Sequence, residues 1–248
     1  MNEMRDITHR PSNRCRRWFV TGTDTEVGKT WISAGLLTAC RRHGLSALGL
    51  KPVASGCRWE PVSPDGKGRW VNEDALALMA ASDVETPYEA VNPCALELPV
   101  SPHLAAARAG VTIDIEALAR HCAAQAARAD ACLVEGVGGW HAPLTPRRTV
   151  ADLARCLGWP VILVVGIRLG CLNHALLSCR AILADGLALA GWVANCVDRD
   201  CLMGEENIAT LRERLPGPCL GVVPWQKKMD AAGIAARLDI HPLFTPAS

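Results

Sequence analysis

The sequence predicts an α/β fold: a doubly wound, mostly parallel sheet with helices on both faces. Three observations carry this. Short β-rich runs at 17–21, 47–51, 131–135, 160–166, 189–195 and 219–223 alternate with helix-period segments at 30–43, 73–81, 114–129, 149–157, 171–185 and 204–215. Several strands are unbroken apolar stretches, such as Val161-Ile162-Leu163-Val164-Val165, which marks burial on both faces. A glycine-containing turn, 21–30, joins the first strand to the first helix. In such a sheet, ligands sit at the carboxyl ends of the strands.

Taken in chain order, the first strand leads into Thr21-Gly22-Thr23-Asp24-Thr25-Glu26-Val27-Gly28-Lys29-Thr30. This is a phosphate-binding loop, and it places the domain among the P-loop NTPases. Its backbone N–H groups and the positive end of the following helix cradle phosphates, Lys29 reaches the β/γ-phosphates and the Thr30 hydroxyl suits Mg²⁺. The spacing departs from the common G-x-x-x-x-G-K-[ST], because position 23 is Thr and the nearest glycine is Gly22. Gly44 is a stop for the first helix and Gly186 for the helix before the fifth strand. Residues 53–72, with Pro61, Pro64, Gly66 and Gly68, read as an exposed, mobile loop, and 136–148 as a second long loop. Residues 1–16 read as a disordered tail carrying Arg5, Arg10, Arg14 and Arg16, and 17–248 as one domain.

Composition narrows the class. Half of the 248 residues are apolar, enough for a sizeable core. The net charge of +1 implies no bulk attraction to nucleic acid or to a membrane surface. No apolar run approaches the roughly 18 residues of a membrane span. The 12 cysteines are scattered, without C-x-x-C or zinc spacing, so reduced thiols in the cytoplasm are expected.

Three further segments stand at or just beyond strand ends. Lys51 closes the second strand, where it faces a γ-phosphate or is simply a solvated charge. Asn72-Glu73-Asp74 opens a helix. Asp74 either favours the first helical turn or supplies a Mg²⁺ oxygen. Glu135 follows an apolar strand, where an acidic group serves Mg²⁺ or its water shell, and Gly136, Gly138 and Gly139 permit close approach of backbone to a ligand. Thr30, Asp74 and Glu135 together would satisfy the few protein oxygens that Mg²⁺ requires. Gly170, Cys171, Leu172 and Asn173 open the helix after the fourth strand run. Their free N–H groups make either an anion site or an ordinary turn capped by Asn173.

Thr21–Thr30, Lys51–Gly56, Asn72–Leu78, Val134–Gly139, Gly166–His174 and Ala190–Asn195 together resemble dethiobiotin synthetase, collinearly from about residue 17 to 226. The resemblance implies an ATP- and Mg²⁺-dependent ligase of biotin synthesis. Such an enzyme carboxylates 7,8-diaminononanoate with CO₂, phosphorylates the carbamate and closes a cyclic urea. It implies roles for Lys29 and Lys51 in catalysis and for Thr30, Asp74 and Glu135 at the metal. Glu26, Val27, Gly28, Gly136, Val137 and Gly138 would meet ATP, with Asn195 reading adenine and Pro224, Trp225 and Gln226 lining the base. Thr25, Ser55 and Gly170–Asn173 would meet the diamine, the last from the other subunit of a homodimer. Two departures stand out: 57–71 is longer than usual, and Ala231, next to Asp230, replaces an acidic residue.

Two other classes fit the sequence less well. An amidating enzyme of the same superfamily needs a glutamine-hydrolysing domain with a nucleophilic Cys, for which the chain has no room after the sheet. A partition or division-site switch carries a second lysine early in the loop, where this chain has Asp24 and Glu26.

Overall fold

The computed structural model describes residues 16–62 and 68–244. Its strands are β1 (Arg16–Gly22), β2 (Ala47–Leu50), β3 (Val53–Ser55), β4 (Arg58–Pro61), β5 (Gly68–Val71), β6 (Cys94–Leu96), β7 (Ala131–Gly139), β8 (Val161–Ile167), β9 (Leu189–Cys196) and β10 (Cys219–Val223). Its helices are α1 (Lys29–Arg42), α2 (Glu73–Ala81), α3 (Tyr88–Val91), α4 (Pro102–Ala109), α5 (Ile115–Ala126), α6 (Val150–Leu157), α7 (Cys171–Ala184), α8 (Gly204–Arg214) and α9 (Ala231–Ala235). All six strands expected from the sequence join one sheet, in the order β10-β9-β8-β1-β7-β2, with every pairing parallel.

Alternation along the strands builds two cores. Trp18, Val20, Leu133, Ile162 and Val164 face α1 and α9 on one side of the sheet. Phe19, Val134, Leu163 and Val165 face α5 to α8 on the other. A strand with both faces covered reads as continuous apolar sequence, which explains the legibility of these runs. Gly44 and Gly186 do end α1 and α7, with φ of 76° and 79°.

Three expectations are corrected. Residues 53–72 are not an open loop: β3 pairs with β6, and β4 with β5 form an antiparallel hairpin in which Trp59 and Trp70 sit opposite each other, their rings 5.3 Å apart. Of the Pro and Gly residues that suggested a loop, Pro61 and Gly68 pair at the end of the hairpin, and Pro64 and Gly66 fall in 63–67, outside the described residues. The third strand runs on to Gly139 instead of ending at 135, because Gly22 of β1 still pairs with Gly139. Arg16 belongs to β1, where its N–H donates to the Asp130 carbonyl at 2.8 Å and its guanidinium stacks on Phe244 at 4.7 Å. The expectation for residues 1–15 lies outside the described residues. Among the described residues no helix is long and apolar enough to cross a membrane, and the eleven described cysteines are free thiols.

Candidate active site

β1, β7 and β8 end side by side, and the loop at 22–28 leaves the sheet between its two neighbours. The β1–β7 register shifts between Val20 and Gly22. Gly22 sits at that irregularity, with no room for a side chain: a Cβ would lie 2.6 Å from Val27 Cγ2. Glu26 (φ 59°) and Gly28 (φ 82°) both adopt left-handed backbone, and Gly28 is the N-cap of α1. At Gly28 a Cβ would fall 2.3 Å from Asn195 Nδ2, which itself donates to the Val27 carbonyl at 2.9 Å. Asn195, near the end of β9 and 4% exposed, thus holds the loop from across the intervening strand β8.

The loop is fixed from its own side as well. Lys29 Nζ donates to the Asp24 carbonyl at 3.0 Å. The Asp24 carboxylate takes the Thr25 N–H at 2.8 Å and the Arg168 guanidinium at 2.7 Å. Arg168 precedes α7, so the Gly170–Asn173 turn is tied to the phosphate loop through this pair. Gly170 caps α7 in a left-handed conformation without any side-chain cap, so Asn173 does not cap it. The Thr25 hydroxyl faces Gly138, 3.8 Å from where a Cβ would stand.

The centre is a cluster of charge. Lys51 Nζ donates to Glu135 Oε1 at 2.6 Å, to the Gly136 carbonyl at 3.1 Å, and pairs with Asp74 Oδ2 at 3.0 Å. Lys51 is 2% exposed, so the alternative of a solvated charge is excluded. Thr30 Oγ1 donates to Glu135 Oε1 at 2.9 Å. Asn72 caps α2, its Oδ1 accepting the Asp74 N–H at 3.0 Å, and so aims the helix start at Lys51.

The charges shift one another. Burial first, and the neighbouring Lys51 charge after it, bring the Lys29 pKa down to about 8 against the opposing pull of Glu135, Asp74 and Asp24. Burial also works against the Lys51 ammonium, but Glu135 and Asp74 outweigh it and raise its pKa. Burial pushes the Asp74 carboxyl up, yet Lys51, Thr30 and Lys29 overcome this and hold it below its ordinary range.

The donor set fits a hard cation. Glu135 is 1% exposed, and its Oε2 is buried without a hydrogen-bond partner among the described residues. A buried carboxylate oxygen left orphaned calls for a cation or water. Half-exposed Asp74 and the Thr30 hydroxyl supply two more oxygens beside it. No three His, Cys, Asp or Glu side chains cluster in metal-binding geometry among the described residues.

The structure therefore brings Lys29, Thr30, Lys51, Asp74, Glu135 and Gly136 together, with Thr25, Val27, Gly28, Gly138 and Asn195 shaping the loop. Ser55 joins through its carbonyl, which accepts from Asn72 Nδ2 at 3.4 Å. Pro224, Trp225 and Gln226 follow β10 at the same edge of the sheet, with the Arg199 guanidinium 5.5 Å from the Trp225 ring. Sequence reasoning missed Asn72 as a cap and the Asp24–Arg168 pair. Asn72 directly before Glu73-Asp74 was a cap signal, whereas nothing local announces a pair 144 positions apart.

Fold and site define a P-loop NTPase with two lysines and two carboxylates around its phosphate loop. A family model described as an AAA domain matches residues 16–232. A protein of Pseudomonas aeruginosa (strain UCBPP-PA14) named ATP-dependent dethiobiotin synthetase BioD is 56% identical over 229 residues, covering 91% of this chain and 97% of its own. One of the same name from Cellvibrio japonicus is 51% identical, covering 92% and 98%. The chain belongs to the dethiobiotin synthetase family of ATP-dependent ligases.

Among solved structures, the septum site-determining protein MinD complexed with Mg-ADP, from Pyrococcus horikoshii, has a TM-score of 0.53 at 15% identity, covering 91% of this chain and 88% of that one. A chain of the MinC:MinD cell division protein complex of Aquifex aeolicus also gives 0.53, at 14% identity, with 91% and 87% covered. At such identity the likeness shows the fold alone.

Proposed function

We propose that this chain closes the ring of 7,8-diaminononanoate with CO₂, at the expense of ATP and with Mg²⁺, to give dethiobiotin, ADP and phosphate in biotin synthesis. The observation that carries the reading is the convergence of Lys29, Lys51, Thr30, Asp74 and Glu135 on one phosphate loop, in a chain of this family. In the proposed sequence one amine is carbamoylated, the carbamate oxygen attacks the γ-phosphate of ATP, and the second amine displaces phosphate as the urea closes. No covalent nucleophile from the enzyme is needed, so no cysteine has a catalytic role.

Each residue type suits its task. Mg²⁺ held by Thr30, Asp74 and Glu135 would polarise the phosphates as a Lewis acid. Lys29, buried at the loop, offsets charge on the transferring phosphoryl group. Lys51, kept charged by Glu135 and Asp74, stands ready beside the carbamate oxygen, and preorganised charge of this kind dominates phosphoryl transfer. Holding the diamine and CO₂ together removes an entropic barrier. Ser55 and Thr25 flank the diamine. Glu26 to Thr30 and Gly136 to Gly138 surround the phosphates, while Asn195 and Pro224–Gln226 form the adenine end.

The working unit is a homodimer in which Gly170–Asn173 of one subunit take the carboxylate of the diamine bound in the other. Uncapped first-turn N–H groups and the 95% exposure of Leu169 beside them support this arrangement. Purified protein with ATP, Mg²⁺, bicarbonate and the diamine should form dethiobiotin and ADP in equal amounts, read by mass. ATP turnover without that product would defeat the proposal.

A further inference from the structure

The chain has one tyrosine, Tyr88, and it lies 3% exposed at the start of α3. Its hydroxyl accepts the Asn72 N–H at 2.8 Å and donates to Asn92 Oδ1 at 2.9 Å. Asn92 Nδ2 in turn donates to the Lys51 carbonyl at 2.6 Å. Asn72 Oδ1 caps α2 through the N–H groups of Asp74 and Ala75. The chain of bonds therefore runs from the backbone of Lys51, through Asn92, Tyr88 and Asn72, to the helix start that carries Asp74. It closes where Lys51 Nζ meets Asp74 Oδ2.

Lys51 depends on this arrangement for its placement. The β2–β7 ladder ends at Leu50, so the sheet does not hold residue 51. Its N–H donates instead to the Val91 carbonyl at 2.9 Å, and its carbonyl accepts from Asn92. Both partners belong to the one-turn helix α3 and its C-cap. A helix of four residues has no stability of its own and is held by its packing. Arg69 of the β4–β5 hairpin covers the Tyr88 ring at 4.8 Å and bonds Glu89 at 3.1 Å, clamping α3 from outside. Burial raises the phenol pKa to about 12, so the hydroxyl remains a donor at any working pH.

We infer that Tyr88 is a positioning residue: through Asn72 and Asn92 its hydroxyl sets Lys51 and Asp74 relative to each other, and so tunes the centre for the Mg²⁺–nucleotide complex. The inference rests on the function proposed above. It assigns a role to three buried side chains, Tyr88, Asn72 and Asn92, that stand outside the proposed nucleotide and substrate contacts.

The test is Tyr88→Phe, which keeps the ring and removes the hydroxyl. Binding of a non-hydrolysable ATP analogue is measured by calorimetry with and without Mg²⁺, together with kcat and the ATP KM. The tightening by Mg²⁺ should fall about tenfold and kcat by a similar factor, the usual scale for partners that orient a metal site. Affinity without Mg²⁺ should stay near the parent value, and the ATP KM, read with Mg²⁺ present, should rise with the lost tightening. Asn92→Ala, which frees the Lys51 carbonyl, should behave alike and serves if Tyr88→Phe does not fold. Ile182→Val, on the buried face of α7, reports general destabilisation. An unchanged Mg²⁺ effect in Tyr88→Phe, or an equal loss in Ile182→Val, would overturn the inference alone. A parent protein that binds the analogue without any Mg²⁺ dependence would overturn the functional reading and this inference with it.

Discussion

The Thr30 hydroxyl donates to Glu135 Oε1 at 2.9 Å across 105 positions of sequence, while Glu135 Oε2 stays buried and unpartnered among the described residues. The phosphate loop and the buried carboxylate of β7 are thus joined directly. Lys51 shares the same Oε1 at 2.6 Å, so one carboxylate oxygen organises both the loop and the second lysine.

Glu135→Gln should therefore do two things. It should raise the Mg²⁺ concentration needed for half activity by about tenfold or more, since an amide oxygen is a poorer ligand for a hard cation. It should also cost roughly 3 kcal/mol of stability, because the buried Lys51 ammonium loses its closest counter-charge. A Mg²⁺ titration and a denaturant curve check the two separately. An unchanged titration would remove Glu135 from the metal site.

Lys29→Ala should lower kcat/KM by about 10²-fold or more, with far-UV circular dichroism unchanged. The charge lost is the one proposed to face the transferring phosphoryl group, and among the described residues the side chain makes one hydrogen bond, to the Asp24 carbonyl. Turnover within tenfold of the parent, roughly 1.4 kcal/mol, would contradict the role.

Lys29 also predicts a proton linkage. Its pKa in the free protein is lowered to about 8, and a bound polyphosphate would raise it again. Between about pH 8 and the raised value, nucleotide binding must take up a proton, and affinity must fall as pH rises. Calorimetry at pH 8.5 in buffers of different ionisation heat (a condition on the order of half a unit above that pKa) should show the uptake in the parent and not in Lys29→Ala. Equal heats in all buffers for the parent would exclude it.

Gly28→Ala should weaken nucleotide binding about tenfold, since left-handed backbone at a residue with a Cβ costs roughly 1–2 kcal/mol. The new methyl would also displace the Asn195 amide from the Val27 carbonyl. Gly28→Ala and Asn195→Ala should then be non-additive in a double-mutant cycle. Full additivity would mean that Asn195 does not hold the loop.

The proposed exchange of the α7 turn between subunits predicts complementation. Lys29→Ala protein and a variant with a bulky insertion at 170–173 should each be inactive, and mixing them should restore activity through hybrid dimers with one intact site. No recovery, with subunit exchange confirmed, would place each site within a single chain.

The legible part of the molecule was whatever depends on near neighbours in sequence. Val161–Val165 announces a strand covered on both faces, and Gly22–Thr30 announces its loop from glycine spacing and the helix that follows. The β4–β5 hairpin was missed because its strands are short and half exposed, with Trp59 and Trp70 satisfied by each other and not by the core. Helix α4 was missed although Ser101-Pro102 is a recognisable start, because its eight residues, half of them alanine, show little periodicity. The sixteen-residue helix expected at 114–129 stops at Ala126, since Ala127 and Arg128 turn the chain back toward β7. Lys51 gave no sign of burial because its partners, Asp74 and Glu135, come from distant elements. The same holds for Tyr88, whose meaning lies wholly in Asn72 and Asn92.

The most direct measurement follows the oxygen. With ¹³C,¹⁸O-labelled CO₂, the account predicts that the carbamate carries label, that one of its oxygens attacks the γ-phosphate, and that ring closure leaves this oxygen on the departing group. Released phosphate should then hold one ¹⁸O, and dethiobiotin should hold the ¹³C in its urea carbonyl. Dethiobiotin formed with ¹³C but with phosphate free of ¹⁸O would show that ATP does not activate the carbamate, and would contradict the mechanism assigned to Lys29, Lys51 and Glu135.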